Sequence, residues 1–494
     1  MNDLARTALR ALDVTRDGIR ARPSISLAVA GFLAASLTVV AGGRIGTVKS
    51  VIPLTTWMGL LSRNGYRSSD LLPGSLALAG VAALLGLWLL ALRLNHSGTT
   101  TEARVWWIAG AWSLPFVIGP PLLSNDVFSY AAEGLLVRNG FDPYSVGPAA
   151  LGNVPAVAAV DPSWRSVPSP YGPLATTVQH LAIAISGGNP LGATLVFRAL
   201  GVVCLVAIGL LAAELAGGRR VQALTITVLN PLLLLHIVSA AHLDGVMCAL
   251  LLGAVVVANQ RKWVLGLVLA AAAGSIKAPG FTAVLAIIAV HVQGYRGRLA
   301  WRTGLRDTGV AGLAILIFSV LVGNGWGWIH ALNTPALGHT SLAPASLVAD
   351  MFSPIVEAAS FDDLAAGGRI TALVAAGCIV AYLTLTAQHR ALDRTAGFGL
   401  LAVGLLSPVV YPWYLLGGVV CLAPTARGAL RDWLVLLSAV GCLLSPPGFT
   451  SRMSTNLSIA AVAVSLAVMA PRVVGRRRAA RSVPPPRPTV TAGG

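Results

Sequence analysis

The chain has 494 residues; 55% are hydrophobic and only 11% are charged. A soluble domain carries about 25% charged residues, and the mean hydropathy here is +0.76, so a water-soluble enzyme and a disordered chain are both excluded. The apolar residues fall in long blocks rather than in alternation, which speaks against a transmembrane β-barrel and leaves an all-α polytopic membrane protein. The net charge of +17 comes from 35 Lys and Arg against 18 Asp and Glu. In a soluble protein that excess would suggest nucleic acid; in a membrane protein its placement decides.

A span needs about 20 apolar residues. Blocks of that kind are read at 24–42, 73–92, 105–122, 193–216, 221–237, 242–258, 262–277, 278–294, 309–323, 369–386, 395–410, 412–426, 431–446 and 456–471, which gives about 14 transmembrane helices. Arg20 and Arg22 precede the first block without a clear cleavage site, so that helix is expected to be retained. With residues 1–23 cytoplasmic, roughly 25 of the 35 cations fall on the inner side, including Arg219, Arg220, Arg296, Arg298 and the cluster Arg476–Arg478. This bias accounts for the charge without nucleic acid. Residues 24–471 form the membrane domain, and the basic, Pro-rich tail 472–494 is expected to be cytoplasmic. The five cysteines sit in apolar blocks without zinc spacing and read as packing residues.

The acids show the opposite trend. Asp126, Glu133, Asp142, Asp161, Asp244, Asp362 and Asp363 fall at or beyond the outer face, where the longest loops, about 123–192 and 324–368, are expected. Chemistry is therefore expected on the extracytoplasmic side of a plasma-membrane protein. From Asp126 to Arg138 the pattern is amphipathic. Asp126, Tyr130 and Glu133 stand at i, i+4 and i+7, which predicts a short interfacial helix along the outer surface. Asp126 at its start reads either as an N-cap or as a functional carboxylate at the membrane–water boundary. The turn-rich stretch that follows carries Asp142-Pro-Tyr144, Asp161-Pro-Ser-Trp164 and Pro170-Tyr171-Gly-Pro173. Its aromatic residues suit sugar stacking or interface anchoring.

Further along, His242 and Asp244 are spaced as a metal pair, a sugar- or phosphate-binding pair, or a structural hydrogen-bonded pair. Lys277 interrupts the apolar run Ala271–Gly280. An intramembrane lysine costs about 2.5–3.5 kcal/mol on insertion scales, so it is a functional candidate; the plain alternative is snorkelling to the interface. Asp362-Asp363 reads as a solvated turn. Tyr411, Trp413 and Tyr414 mark an outer helix break where they would stack a sugar, line a lipid groove or belong to the aromatic belt. No Walker or Rossmann glycine pattern is present.

Asn125-Asp-Val-Phe-Ser-Tyr130, Asp142-Pro-Tyr144-Ser-Val-Gly-Pro148, Asp161-Pro-Ser-Trp164 and Pro170-Tyr-Gly-Pro173, followed by Leu229-Asn-Pro231, His242-Leu-Asp244, Ile276-Lys-Ala278 and Tyr411-Pro-Trp-Tyr414, occur in one order. This ordered set resembles the actinobacterial polyprenol-phosphomannose-dependent α-1,6-mannosyltransferases, integral-membrane glycosyltransferases of GT-C type that serve lipomannan and lipoarabinomannan synthesis in the cell wall. The likeness extends over about residues 105–420. Leu243 departs from it, since the family pattern places asparagine between the histidine and the acid. The resemblance implies a polyprenyl-phosphate mannose donor, a lipid-linked mannan acceptor and an α-1,6 linkage formed with inversion, which needs one base and no enzymic nucleophile. It implies Asp126 as general base, its carboxyl pKa raised by burial beside aromatic groups. Lys277, His242 and, in the outer turn 446–452, Arg452 are the expected partners of the donor phosphate. Tyr130, Glu133, Asp142, Tyr144, Tyr171, Asp244, Tyr411 and Trp413 are the expected sugar-binding residues. No metal or other cofactor is expected. The rival reading is a transporter or flippase of a lipid-linked sugar, which would place ionisable residues near mid-membrane and show repeated halves; neither is visible.

Overall fold

The computed structural model describes residues 23–43, 56–57, 61–62, 71–95, 100–333, 343–352 and 360–444. Arg452, the block 456–471, the N-terminal segment before residue 23 and the tail 472–494 lie outside these. The described chain is helical apart from one two-residue hairpin, β1 (Thr56–Trp57) against β2 (Leu61–Ser62).

The first layer is α1 (Pro23–Gly42), α2 (Leu71–Leu94) and α3 (Glu102–Ile118), with α1 packed on both partners. Indole N–H groups fasten this layer, because a buried indole needs an acceptor. Trp112 donates to the Leu27 carbonyl at 2.9 Å, and Trp88 to the Thr225 carbonyl at 2.8 Å. Then come α4 (Asp126–Arg138), α5 (Pro173–Ile185) and the long α6 (Pro190–Ala216). The Asn189 side chain caps α6 and Pro190 fills its first turn; at 1.5 Å per residue the helix is roughly 40 Å long.

The chain continues through α7 (Arg220–Thr227) into a short turn at Pro231 and a π-helical segment, Leu234–Ser239. It then bends by 119° into α8 (Asp244–Asn259). Helices α9 (Trp263–Ile276) and α10 (Phe281–Val292) are separated by the break at Lys277–Gly280, and α11 (Gly297–Ile317) follows. After α12 (Pro344–Phe352) come α13 (Phe361–Leu385), α14 (Leu392–Leu405), α15 (Leu416–Leu422) and α16 (Gly428–Leu443). The core is built where α8 packs on α6, α9 and α15.

Among the described residues, five helices are long and apolar enough to cross a membrane, or six if the bent pair at 231–259 is one span. Shorter apolar helices at Trp263–Ile276, Ala278–Val292 and Pro412–Leu422 fall on blocks read from the sequence, whereas Pro173–Ile185 is a helix inside the stretch 123–192 that was expected to be an outer loop. These features make the chain a polytopic helical membrane protein.

Three local expectations are corrected. Helix α4 does not lie along the surface: Val127, Phe128, Tyr130, Ala131, Ala132, Glu133, Gly134 and Leu136 are all buried, and the helix packs under α5 and α6. Gly134 allows this, since a Cβ there would stand 2.3 Å from the Gln179 carbonyl oxygen. Asp362 and Asp363 open α13, where Ser360 and Asp363 exchange hydrogen bonds as a capping box. Cys378 is exposed on α13, while Cys204, Cys248, Cys421 and Cys442 are buried as expected of packing residues.

Candidate active site

Two backbone corners bring the polar residues together. Leu123 (φ 68°) immediately precedes the approach to α4, and Ala241 (φ 55°) immediately precedes His242. A left-handed backbone at a non-glycine residue such as leucine or alanine is strained and persists where the surroundings hold it. Arg198 on α6 supplies that hold. Its buried guanidinium donates to the Val117 carbonyl at 3.1 Å, to the Gly119 carbonyl, and to the Ser239 carbonyl at 2.8 Å. One fork therefore ties the end of α3, which leads to Asp126, to the end of the π-helical segment, which leads to His242. Nothing in the sequence reading singled out Arg198, although a lone arginine in an apolar run is the same signal that marked Lys277.

Asp126 is the first residue of α4, and Asn125 holds the cap position. The Asp126 side chain is therefore released from capping. Its Oδ2 lies 3.4 Å from His242 Nδ1 and accepts from the Tyr171 hydroxyl at 3.4 Å. Tyr171 also meets the Tyr130 hydroxyl at 3.3 Å, and Tyr130 lies 3.4 Å from the same His242 nitrogen. Burial pushes the Asp126 carboxyl up, but His242, Ser124 and Lys277 pull it down further, so it sits below the ordinary aspartate value. This corrects the expectation of a raised pKa: burial was legible, the histidine contact was not.

His242 and Asp244 point to different partners. The Asp244 carboxylate accepts from Lys277 Nζ at 2.9 and 3.0 Å, and the ammonium also sits 4.4 Å from the Tyr414 ring centre. Leu243 between them is buried in the hydrophobic core. His242 stacks on Trp413 at 4.2 Å, and Trp413 on Tyr411 at 4.5 Å. Glu133 accepts from the Ser169 hydroxyl at 2.7 Å, and burial raises its carboxyl to about 7. Among the described residues no three His, Cys, Asp or Glu side chains group as a metal site.

A cavity of about 1040 Å³ opens on these groups. Asp126, Glu133, Tyr171, Asp244, Lys277, Tyr411, Trp413 and Tyr414 line it, together with Asp161, Ser163 and Trp164 from the loop. Helices α10, α13 and α14 supply an apolar wall that includes Leu285, Leu373, Ala376, Gly377, Val380 and Leu400. The sequence reading missed this wall, because a groove between helices has the same composition as a lipid-facing surface.

Four residues expected to touch substrate stand elsewhere. His242 and Tyr130 are buried behind Asp126 rather than on the cavity wall. Asp142 bonds the Tyr144 backbone N–H at 2.9 Å and the Ser145 hydroxyl, holding a turn. Tyr144 is packed against Trp328, with its hydroxyl 3.3 Å from Thr176. These two residues shape the loop instead of facing the cavity.

The position of Tyr171 depends on Gly172, whose N–H donates to the Ile276 carbonyl at 3.1 Å, one residue before Lys277. A Cβ at 172 would stand 2.3 Å from the Ser275 carbonyl oxygen. Gly172→Ala is expected to separate Tyr171 from Lys277, with a destabilisation of about 1–3 kcal/mol and a loss of turnover on the order of 100-fold. Thermal melting in detergent and turnover at equal protein level check both.

A helical membrane protein whose cavity joins a carboxylate, a lysine and stacked aromatics to an apolar wall has the parts of a lipid-substrate enzyme. Comparison with known proteins identifies the family. Residues 28–293 match the model of the α-(1→6)-mannopyranosyltransferase N-terminal domain, and residues 340–474 match the MptB C-terminal domain. The chain belongs to this mannopyranosyltransferase family. It is 30% identical over 432 residues to α-(1→6)-mannopyranosyltransferase A of Mycobacterium tuberculosis, covering 82% of this chain and 83% of the relative. It is 27% identical over 387 residues to α-(1→6)-mannopyranosyltransferase A of Corynebacterium glutamicum, covering 73% and 78%. α-(1→6)-Mannopyranosyltransferase B of the same organism is 25% identical over 426 residues, covering 78% and 71%. No solved structure matches the chain.

Proposed function

We propose that the chain is an α-1,6-mannosyltransferase that moves mannose from a polyprenyl-phosphate mannose donor to a lipid-linked mannan acceptor, at the outer face of the plasma membrane. The observation that carries this reading is the juxtaposition, in one cavity, of Asp126, Lys277 and an apolar wall. The polyprenyl chain lies along α10, α13 and α14. Its phosphate meets Lys277, which has three N–H donors; Asp244 takes two and fixes the ammonium in place, and the third remains for a phosphate oxygen. The acceptor enters from the loop side, past Asp161 and Trp164. Asp126 takes the proton of the attacking hydroxyl as the new bond forms on one face of the anomeric carbon and the phosphate departs from the other. Glu133, two turns along α4, meets acceptor hydroxyls.

The test is transfer of radiolabelled mannose from polyprenyl-phosphate mannose to a short α-1,6-mannoside in membranes carrying the protein. A longer α-1,6-linked product is expected. Translocation of the donor without a product would replace the transferase reading by that of a flippase.

The donor carries one phosphate, and Lys277 offsets its charge, so activity is expected to survive EDTA. Complete loss restored by manganese or magnesium would reassign Asp244 to a metal shell.

A further inference from the structure

His242 is the residue whose placement the reaction above does not use. It does not line the cavity, so it does not meet the donor phosphate. Its ring is clamped between neighbours: Nδ1 is 3.4 Å from Asp126 Oδ2, and one face stacks on Trp413 at 4.2 Å. Nε2 is buried and has no hydrogen-bond partner among the described residues. The groups around the ring are Asp126 and Tyr130 from α4, Tyr171 from the loop, His236 from the π-helical segment, and Trp413 and Tyr411 from the 411–415 turn. Asp244 and Lys277, which pair with each other, and Tyr414 stand beyond them.

We propose that His242 receives the acceptor's proton from Asp126 and holds it as an imidazolium on the face of Trp413. The acceptor hydroxyl oxygen bonds the anomeric carbon, and the bond from that carbon to the phosphate oxygen breaks with its electron pair going to phosphate. The hydroxyl proton passes to Asp126 Oδ2 and then to the lone pair of His242 Nδ1, which restores the carboxylate. One observation beyond the contact distance supports this. A cation over an indole face is stabilised, most of all where water is excluded.

The inference rests on Asp126 being the base, and the two fail separately. An active Asp126→Asn enzyme removes the base and this relay with it; the outcomes below remove the relay alone. Single-turnover transfer is measured from pH 5 to 9 for the wild type, His242→Gln and Glu133→Gln. Donor affinity is measured alongside. Glu133 titrates in the same range, so its variant marks its own contribution.

The relay predicts that His242→Gln lowers turnover about 10- to 1000-fold and leaves the donor Kd within about threefold. It also predicts loss of an acid limb that Glu133→Gln retains. A His242→Gln enzyme with a wild-type pH profile would overturn it, as would one whose main defect is donor binding. If glutamine at 242 prevents folding, Trp413→Phe keeps the ring plane but offers a weaker face to the cation. The acid limb then moves to lower pH under the relay, and an unmoved limb overturns it.

Discussion

Asp126→Asn is expected to lower mannosyl turnover by about 10²–10⁴-fold, the usual contribution of one general base, while donor affinity stays nearly intact. Asparagine has the same size, and its amide oxygen still accepts from the Tyr171 hydroxyl. The cap of α4 is not at stake, because Asn125 occupies it. The fold therefore has no reason to fail, and the variant isolates proton acceptance. Turnover with labelled donor, at equal protein level in membranes, is the measurement. Wild-type turnover in Asp126→Asn would rule Asp126 out as the base.

Lys277→Met is expected to be nearly as costly, in a different parameter. Methionine keeps an unbranched stem but removes the charge that, in the proposed reaction, faces the departing phosphate. Charge on that oxygen grows toward the transition state, so turnover should fall further than donor affinity. The variant also strands Asp244, 1% exposed and bonded to Lys277 through both oxygens. Breaking one side of a buried pair typically destabilises by about 3–5 kcal/mol. The double variant Lys277→Met with Asp244→Asn separates the effects: thermal stability should return, and turnover should not. Recovery of turnover in the double variant would show that Lys277 serves only to neutralise Asp244.

What the sequence shows of this site follows the reach of each signal. The stripe Asp126, Tyr130 and Glu133 is local, and helical periodicity placed all three on one helix, although Tyr130 packs behind Asp126 while the other two line the cavity. Lys277 stood out because an ammonium in an apolar block is expensive wherever the chain goes. The partners of these residues are not local. Asp126 meets His242 across 116 positions of sequence, so its carboxyl is lowered where burial alone predicts a rise. His242 and Asp244, two residues apart, part company because α8 begins at Asp244 and turns its carboxylate toward Lys277. Asp142 and Tyr144 looked like sugar ligands, but an Asp-Pro-Tyr turn uses the same side chains to close itself. The extent of membrane crossing was hardest to read. Pro231, Pro279 and Pro412 stand in or beside short turns, so the apolar blocks there do not form single long helices.

Arg198 has a consequence for how such an enzyme diversifies. The fork it makes to the Val117, Gly119 and Ser239 carbonyls fixes two chain segments through backbone atoms alone. The alignment of Asp126 with His242 therefore has a support in the backbone besides the cavity-lining Tyr171 and Trp413, which touch the two residues directly. Trp164, Leu373 and Val380 line the cavity and have no part in that fork, so under the proposed reaction changes there would lengthen or narrow the space for sugar and lipid and leave the strut in place. The same arrangement concentrates vulnerability, since a lysine at 198 lacks the planar fork needed to reach all three oxygens at once. Variation in substrate choice across relatives should then map to the cavity wall and spare the strut behind it.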